Sequence, residues 1–138
     1  MLDLSKLSVG LALPELRKHV LQADINLYAK ASRDFNQIHI DEEFARKTPA
    51  GGTIAHGMLV LAYVSQMLTD AFGRTWLSGG GMSVRFKAPA KPGDILTIQA
   101  KIEKIQRETE QTTVTCAVLC ANQNNEPVIT GEAIVRLK

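Results

Sequence analysis

The sequence holds only two cysteines in 138 residues, which leaves little for a disulfide framework. Cys116 and Cys120 fall in a stretch that reads as one strand, so their Cα atoms stand about 13 Å apart, too far for a bridge. There is no apolar run long enough to span a membrane. No secretory leader is apparent either, because Asp3 and Lys6 interrupt the start of the chain. The expected home is a reducing cytoplasm. Also missing is any run of Lys or Arg: the formal net charge of +2 is spread along the chain, which argues against a nucleic-acid arm and suits an anionic small molecule. Repeats, low-complexity tracts and linker-like shifts in composition are absent too. With 45% hydrophobic and 22% charged residues, the expectation is one packed domain over residues 1–138.

The first half of the chain carries helical periodicity. Residues 24–33 fit a short helix with Asp24 as N-cap and Ile25, Tyr28 and Ala29 on one face. Residues 41–47 read as another brief helical piece, and the turn-prone run from Asp34 to His39 breaks the regularity between them. After Pro49-Ala50-Gly51-Gly52, the stretch from His56 to Phe72 is apolar on nearly every side, the pattern of a buried helix.

From Gly79 the period becomes two. Val84, Phe86 and Ala88 alternate with Arg85 and Lys87, and Leu96, Ile98, Ala100 and Ile102 alternate with polar neighbours. The same alternation runs through Thr112, Val114, Cys116, Val118 and Cys120, and again from Ile129 to Leu137. Turns are expected at Lys91–Asp94, at Arg107-Glu108 and at Asn122–Pro127. These features predict an antiparallel meander covered by the apolar helix, an α+β fold with a sheet wrapped round one central buried helix. A single sheet of this size leaves an edge strand and much of the helix's far side open, so pairing into a homodimer is expected.

Two constellations carry chemistry. In a continuous helix Asp34 and His39 would point about 140° apart; the break lets both turn inward, where a carboxylate and an imidazole can hold and deprotonate a water. On spacing alone the same residues fit better an Asx-type turn made by Asp34 and Asn36 with a partly buried structural His39. The second is Ile54-Ala55-His56-Gly57-Met58 at the start of the apolar helix. Unpaired N–H groups gather there, and Gly57 lets a ligand oxygen approach the backbone as in an oxyanion hole; close packing of Gly57 against the sheet is the other reading.

Taken together, Tyr28 to Asp41 with its Asp34-x-Asn36-x-x-His39, then Phe44-Ala45, then Ala55-His56-Gly57-Met58, with His56 seventeen residues after His39, and finally Thr130 to Val135, resemble the (R)-specific enoyl-CoA hydratases of the MaoC-like dehydratase family. The resemblance spans nearly the whole chain. It implies a hot-dog fold, usually a homodimer, that hydrates trans-2-enoyl-CoA to (R)-3-hydroxyacyl-CoA reversibly, with no metal and no cofactor. Carried over by position, Asp34 and His39 would be catalytic, Asn36 would buttress the loop, the Gly57 amide would bind the thioester carbonyl, and Ser65 would line the site. For Ser65 a hydroxyl bonded back to the Leu61 carbonyl is the alternative, and His56 is expected to shape the helix entry.

The chain departs from the family pattern at Arg33, where Gly is usual, and at Gln37, where Pro is usual. Neither removes a reacting group. Arg85 and Lys87 either meet the carrier's phosphates, or an acyl carrier protein's acidic surface, or form a solvated strand face. A 3-hydroxyacyl-ACP dehydratase subunit is one alternative function. A hot-dog acyl-CoA thioesterase would need a base on the central helix, where the only acid is Asp70 near its end. A non-catalytic subunit would have no reason to keep both Asp34 and His39.

Overall fold

The computed structural model describes residues 1–138. A short strand β1 (Leu16–His19) leads into α1 (Gln22–Ser32), two single-turn helices α2 (Gln37–Ile40) and α3 (Glu42–Arg46), the long α4 (Gly57–Phe72) and a brief α5 (Arg74–Gly79). Four strands follow: β2 (Gly81–Phe86), β3 (Ile95–Arg107), β4 (Thr112–Ala121) and β5 (Pro127–Leu137). No helix is long and apolar enough to cross a membrane.

The sheet is antiparallel throughout, in the order β1-β3-β4-β5-β2. Only β3, β4 and β5 form the expected meander. β2 lies outside β5, with Val84 opposite Gly131, because alternation marks a strand but says nothing of its neighbour. Gly131 makes that pairing close: a Cβ there would meet the Ser83 carbonyl oxygen and lie 2.7 Å from the Val84 Cα. Between Ile102 and Lys104 the register of β3 shifts by a bulge, which bends the sheet and moves the inward set from Ile102 to Ile105.

The concave face buries Leu96, Ile98, Ala100 and Ile102 of β3, Val114, Cys116, Val118 and Cys120 of β4, and Ile129, Ala133 and Val135 of β5. Against it lie Val60, Val64, Met67, Leu68, Ala71 and Phe72 of α4. This is the hot-dog arrangement, a sheet curled about one helix. Both cysteines are free, four residues apart on this inner face. Burial pushes the Cys116 thiol up to about 11 and the Cys120 thiol up to about 12.

One expectation is corrected. α1 starts at Gln22 with Leu21 as an N-cap that makes no side-chain bond, and Asp24 sits inside the first turn, where its charge faces the positive end of the helix. The far side of α4 is open, as expected for a single sheet: Gly57, Met58, Ala62, Gln66 and Asp70 are exposed, Met58 at 60%. β1 and α5 had no periodic signature, four and six residues being too short to show one.

Candidate active site

The loop between α1 and α2 is built from local hydrogen bonds that leave Asp34 Oδ2 free. Ser32 donates its hydroxyl to the Tyr28 carbonyl and accepts the Asp34 N–H. Asp34 Oδ1 accepts the Asn36 N–H, and Asn36 Oδ1 caps α2 by accepting the Ile38 N–H. The Asx turn at Asp34 and the inward-facing carboxylate therefore coexist, one oxygen serving each. Asn36 spends its side chain on the loop backbone, a buttress between Asp34 and His39.

His39 is fixed by two contacts. Its Nδ1–H donates to the Ile54 carbonyl at 2.8 Å, since a carbonyl can only accept. Nε2 faces Asp34 Oδ2 at 3.9 Å. A water donating one hydrogen to each, at about 2.8 Å, would subtend roughly 90° at its oxygen and present a lone pair outward. The Asp34 side chain is half-exposed and that of His39 is nearly covered, so the site opens on the Asp34 side.

Around this pair stand residues that the sequence did not single out. Gln22 of α1 donates Nε2 to the His39 carbonyl at 2.8 Å and accepts from the buried Thr53 hydroxyl. Thr53 also gives its N–H to Glu42 of α3, the main cause holding the Glu42 carboxyl below its ordinary value. Three segments are thus tied to the His39 backbone. Nothing local in the sequence marks a contact between residues 22 and 53.

His56, next to the start of α4, is nearly fully buried. Its Nε2–H donates to the Asp34 carbonyl at 3.0 Å, and its ring stacks on His39 with centroids 3.8 Å apart. Asp34, His39 and His56 bring their side-chain ligand atoms within 4.8 Å of one another. The two imidazoles lie only 26° from parallel, so their in-plane lone pairs run in nearly parallel planes and do not converge as metal ligands must. The donor set does not fit a resident ion.

Gly57 opens α4, and its N–H and that of Met58 make no hydrogen bond within the protein. They face an open site, as expected for a helix start. A Cβ on Gly57 would lie 3.2 Å from the Phe86 ring, so glycine lets that ring rest against the helix. Beside it is a cavity of about 360 Å³ lined by Ile54, Gly57, Val60, Phe86, Lys87 and Val128 among others. Ile54, whose carbonyl holds His39, joins the cavity to the acid–histidine pair. Ser65 lies two turns further along α4; its hydroxyl accepts the Trp76 indole N–H at 2.9 Å in place of the alternative bond to Leu61. Arg85 and Lys87 are exposed, and Lys87 alone of the two lines the cavity.

Arg33 and Gln37 occupy positions whose backbone explains the residues usual there. Arg33 is left-handed at φ 61°, ψ 24°, a conformation costing an L-residue about 1–2 kcal/mol. Gln37 is the first residue of α2, its N–H is unbonded, and Asn36 before it is extended at ψ 131°, which accommodates proline. Arg33→Gly together with Gln37→Pro is expected to stabilise the fold by about 1 kcal/mol, a rise in Tm on the order of 3 °C by calorimetry. A fall in Tm would show that one of these backbone assignments is wrong.

The MaoC-like domain family matches residues 12–124. The 3-hydroxybutyryl-CoA dehydratase of Methylorubrum extorquens is 31% identical over 136 residues, 95% of this chain and 81% of the relative. The (R)-specific enoyl-CoA hydratase of Aeromonas caviae is 31% identical over 125 residues, 88% of this chain and 90% of the relative. Among solved structures, the (R)-hydratase from A. caviae involved in PHA biosynthesis superposes with a TM-score of 0.82 at 29% identity, covering 96% of this chain and 98% of that one.

Proposed function

The chain belongs to the MaoC-like dehydratase family and is a hydro-lyase, and from that premise we propose that it hydrates trans-2-enoyl-CoA to (R)-3-hydroxyacyl-CoA, reversibly, with Asp34 and His39 as the catalytic pair. The observation that carries this is the convergence of His39 Nε2 on Asp34 Oδ2. With Nδ1–H committed to Ile54, Nε2 and Asp34 Oδ2 are two acceptors 3.9 Å apart, and two acceptors orient a water's remaining lone pair toward an electrophile.

Adding water at C3 of an enoyl thioester drives negative charge onto the carbonyl oxygen. The free Gly57 N–H at the start of α4 is a donor for that charge, strengthened by the helix dipole. One of the pair removes a proton from the water as the C3–O bond forms, and that proton is returned to C2 as the enolate collapses. Hydroxyl and hydrogen are both accounted for, and the protein ends as it began. No metal or cofactor enters the scheme.

The acyl chain lies in the apolar cavity beside Gly57, with Lys87 at the rim for an anionic carrier. Coenzyme A is the carrier proposed, following the names of the similar enzymes. Ser65, with its hydroxyl bonded to Trp76, does not line the cavity and has no part in the scheme. The working form proposed is a cytoplasmic homodimer of 15.1 kDa chains. The outer edges of β1 and β2 and the open face of α4 bearing Met58 and Ala62 are the surfaces a partner would cover.

The test is the purified chain with crotonyl-CoA and with crotonyl-ACP, following loss of the enoyl absorbance and release of free thiol in parallel, with chiral analysis of the product. Loss of absorbance without thiol release, giving the (R)-alcohol, is the expected outcome. Thiol release would make the chain a thioesterase, and turnover of the ACP substrate alone would reassign the carrier.

A further inference from the structure

We propose that His56 is a positioning residue that holds Asp34 and His39 in their convergent geometry; this rests on the catalytic role proposed for that pair. Three contacts carry it. The Nε2–H of His56 holds the Asp34 carbonyl. Its ring lies face to face with that of His39 at 3.8 Å. It also meets the Tyr28 ring edge-on at 4.8 Å, which ties the imidazole to α1.

Helix stability does not explain a histidine here. His56 is the N-cap of α4, yet its side chain caps nothing. A Ser, Thr, Asp or Asn at such a place would cap the helix and stabilise it. Its Nδ1 is buried and has no hydrogen-bond partner, a further cost to the fold. Both costs fall on one residue, and two of the three contacts made in return go to Asp34 and His39. Breaches of local preference of this kind are expected where function constrains the sequence.

Because Nδ1 exposes almost no surface, His56 does not touch substrate. It acts through its neighbours: the hydrogen bond sets where the Asp34 backbone lies, and the stacked ring limits rotation of His39 about its side-chain bonds. Displacing a reacting group by about 1 Å lowers rate by up to about 10²-fold.

Two variants separate the contacts. His56→Phe keeps a ring against His39 but leaves the Asp34 carbonyl without its donor, whereas His56→Gln keeps an N–H donor and removes the stack. Each is expected to lower kcat for crotonyl-CoA hydration about 10–100-fold with KM within about threefold of the parent. Tm should change by only a few degrees. Amide hydrogen exchange supplies a readout independent of turnover: residues 34–39 are expected to lose protection in His56→Phe while β3, β4 and β5 keep theirs. Parental kcat in both folded variants overturns the proposal, as does a loss expressed in KM alone. If the parent hydrates no enoyl thioester, the catalytic reading fails by itself, and exchange decides whether His56 still orders the loop: unchanged protection at residues 34–39 then overturns the positioning role too.

Discussion

Asp34→Asn is expected to lower kcat for enoyl-thioester hydration about 10²–10⁴-fold while leaving the fold intact. The side chain is half-exposed, and its structural duty, accepting the Asn36 N–H, passes to the amide oxygen of Asn. The backbone carbonyl held by His56 is unaffected. What disappears is the second acceptor facing His39: the amide nitrogen donates, so the water loses a base and one of its two anchors. His39→Ala is expected to lose a similar factor, with a stability cost of about 1–2 kcal/mol because the Ile54 carbonyl is left without its donor. The double variant is expected to be little worse than either single one, since groups that act on one water fail together. Steady-state kinetics on the two singles and the double, with Tm beside each, checks all three statements. A single variant within threefold of parental kcat would remove Asp34 or His39 from the chemistry.

A large loss of stability is expected at Gly131→Ala. β2 approaches β5 so closely here that the added methyl would run into the Ser83 carbonyl and the Val84 Cα. These are backbone atoms, which cannot rotate aside as a side-chain tip can. Relief requires β2 to move off β5, at a cost of about 3 kcal/mol, or a drop in Tm on the order of 10 °C. β2 carries Phe86 toward Gly57, with Lys87 just beyond it, so KM should rise in whatever fraction remains folded. Urea unfolding with an unchanged m-value and a lower midpoint is the signature. An unchanged midpoint would mean that β2 does not sit where the register places it.

Much of this was legible before any coordinates. Alternation placed β3, β4 and β5 with their inward residues, because a half-buried strand writes its burial directly into its sequence. The apolar run located α4, and the broken helix between Asp34 and His39 is as expected. Strand order was not legible: β2 crosses to the far edge, and alternation is the same whichever neighbour a strand has. Within the site, Asp34, His39 and Gly57 stood out by residue type and spacing. Gln22, Thr53 and Glu42 did not, because their bonds join segments up to 31 residues apart. The αL backbone at Arg33 was hidden for the opposite reason, since the residue that would have announced it is absent.

The two cysteines on the inner face have a practical consequence. Alkylating dyes react with thiolates, and here the thiols are both walled off and held protonated well above the working range. The native protein is therefore silent to such reagents, and labelling begins only when the sheet opens. Pulsed alkylation followed by mass measurement thus gives each molecule a built-in clock for its own opening, without any dye, tag or substitution having to be engineered in.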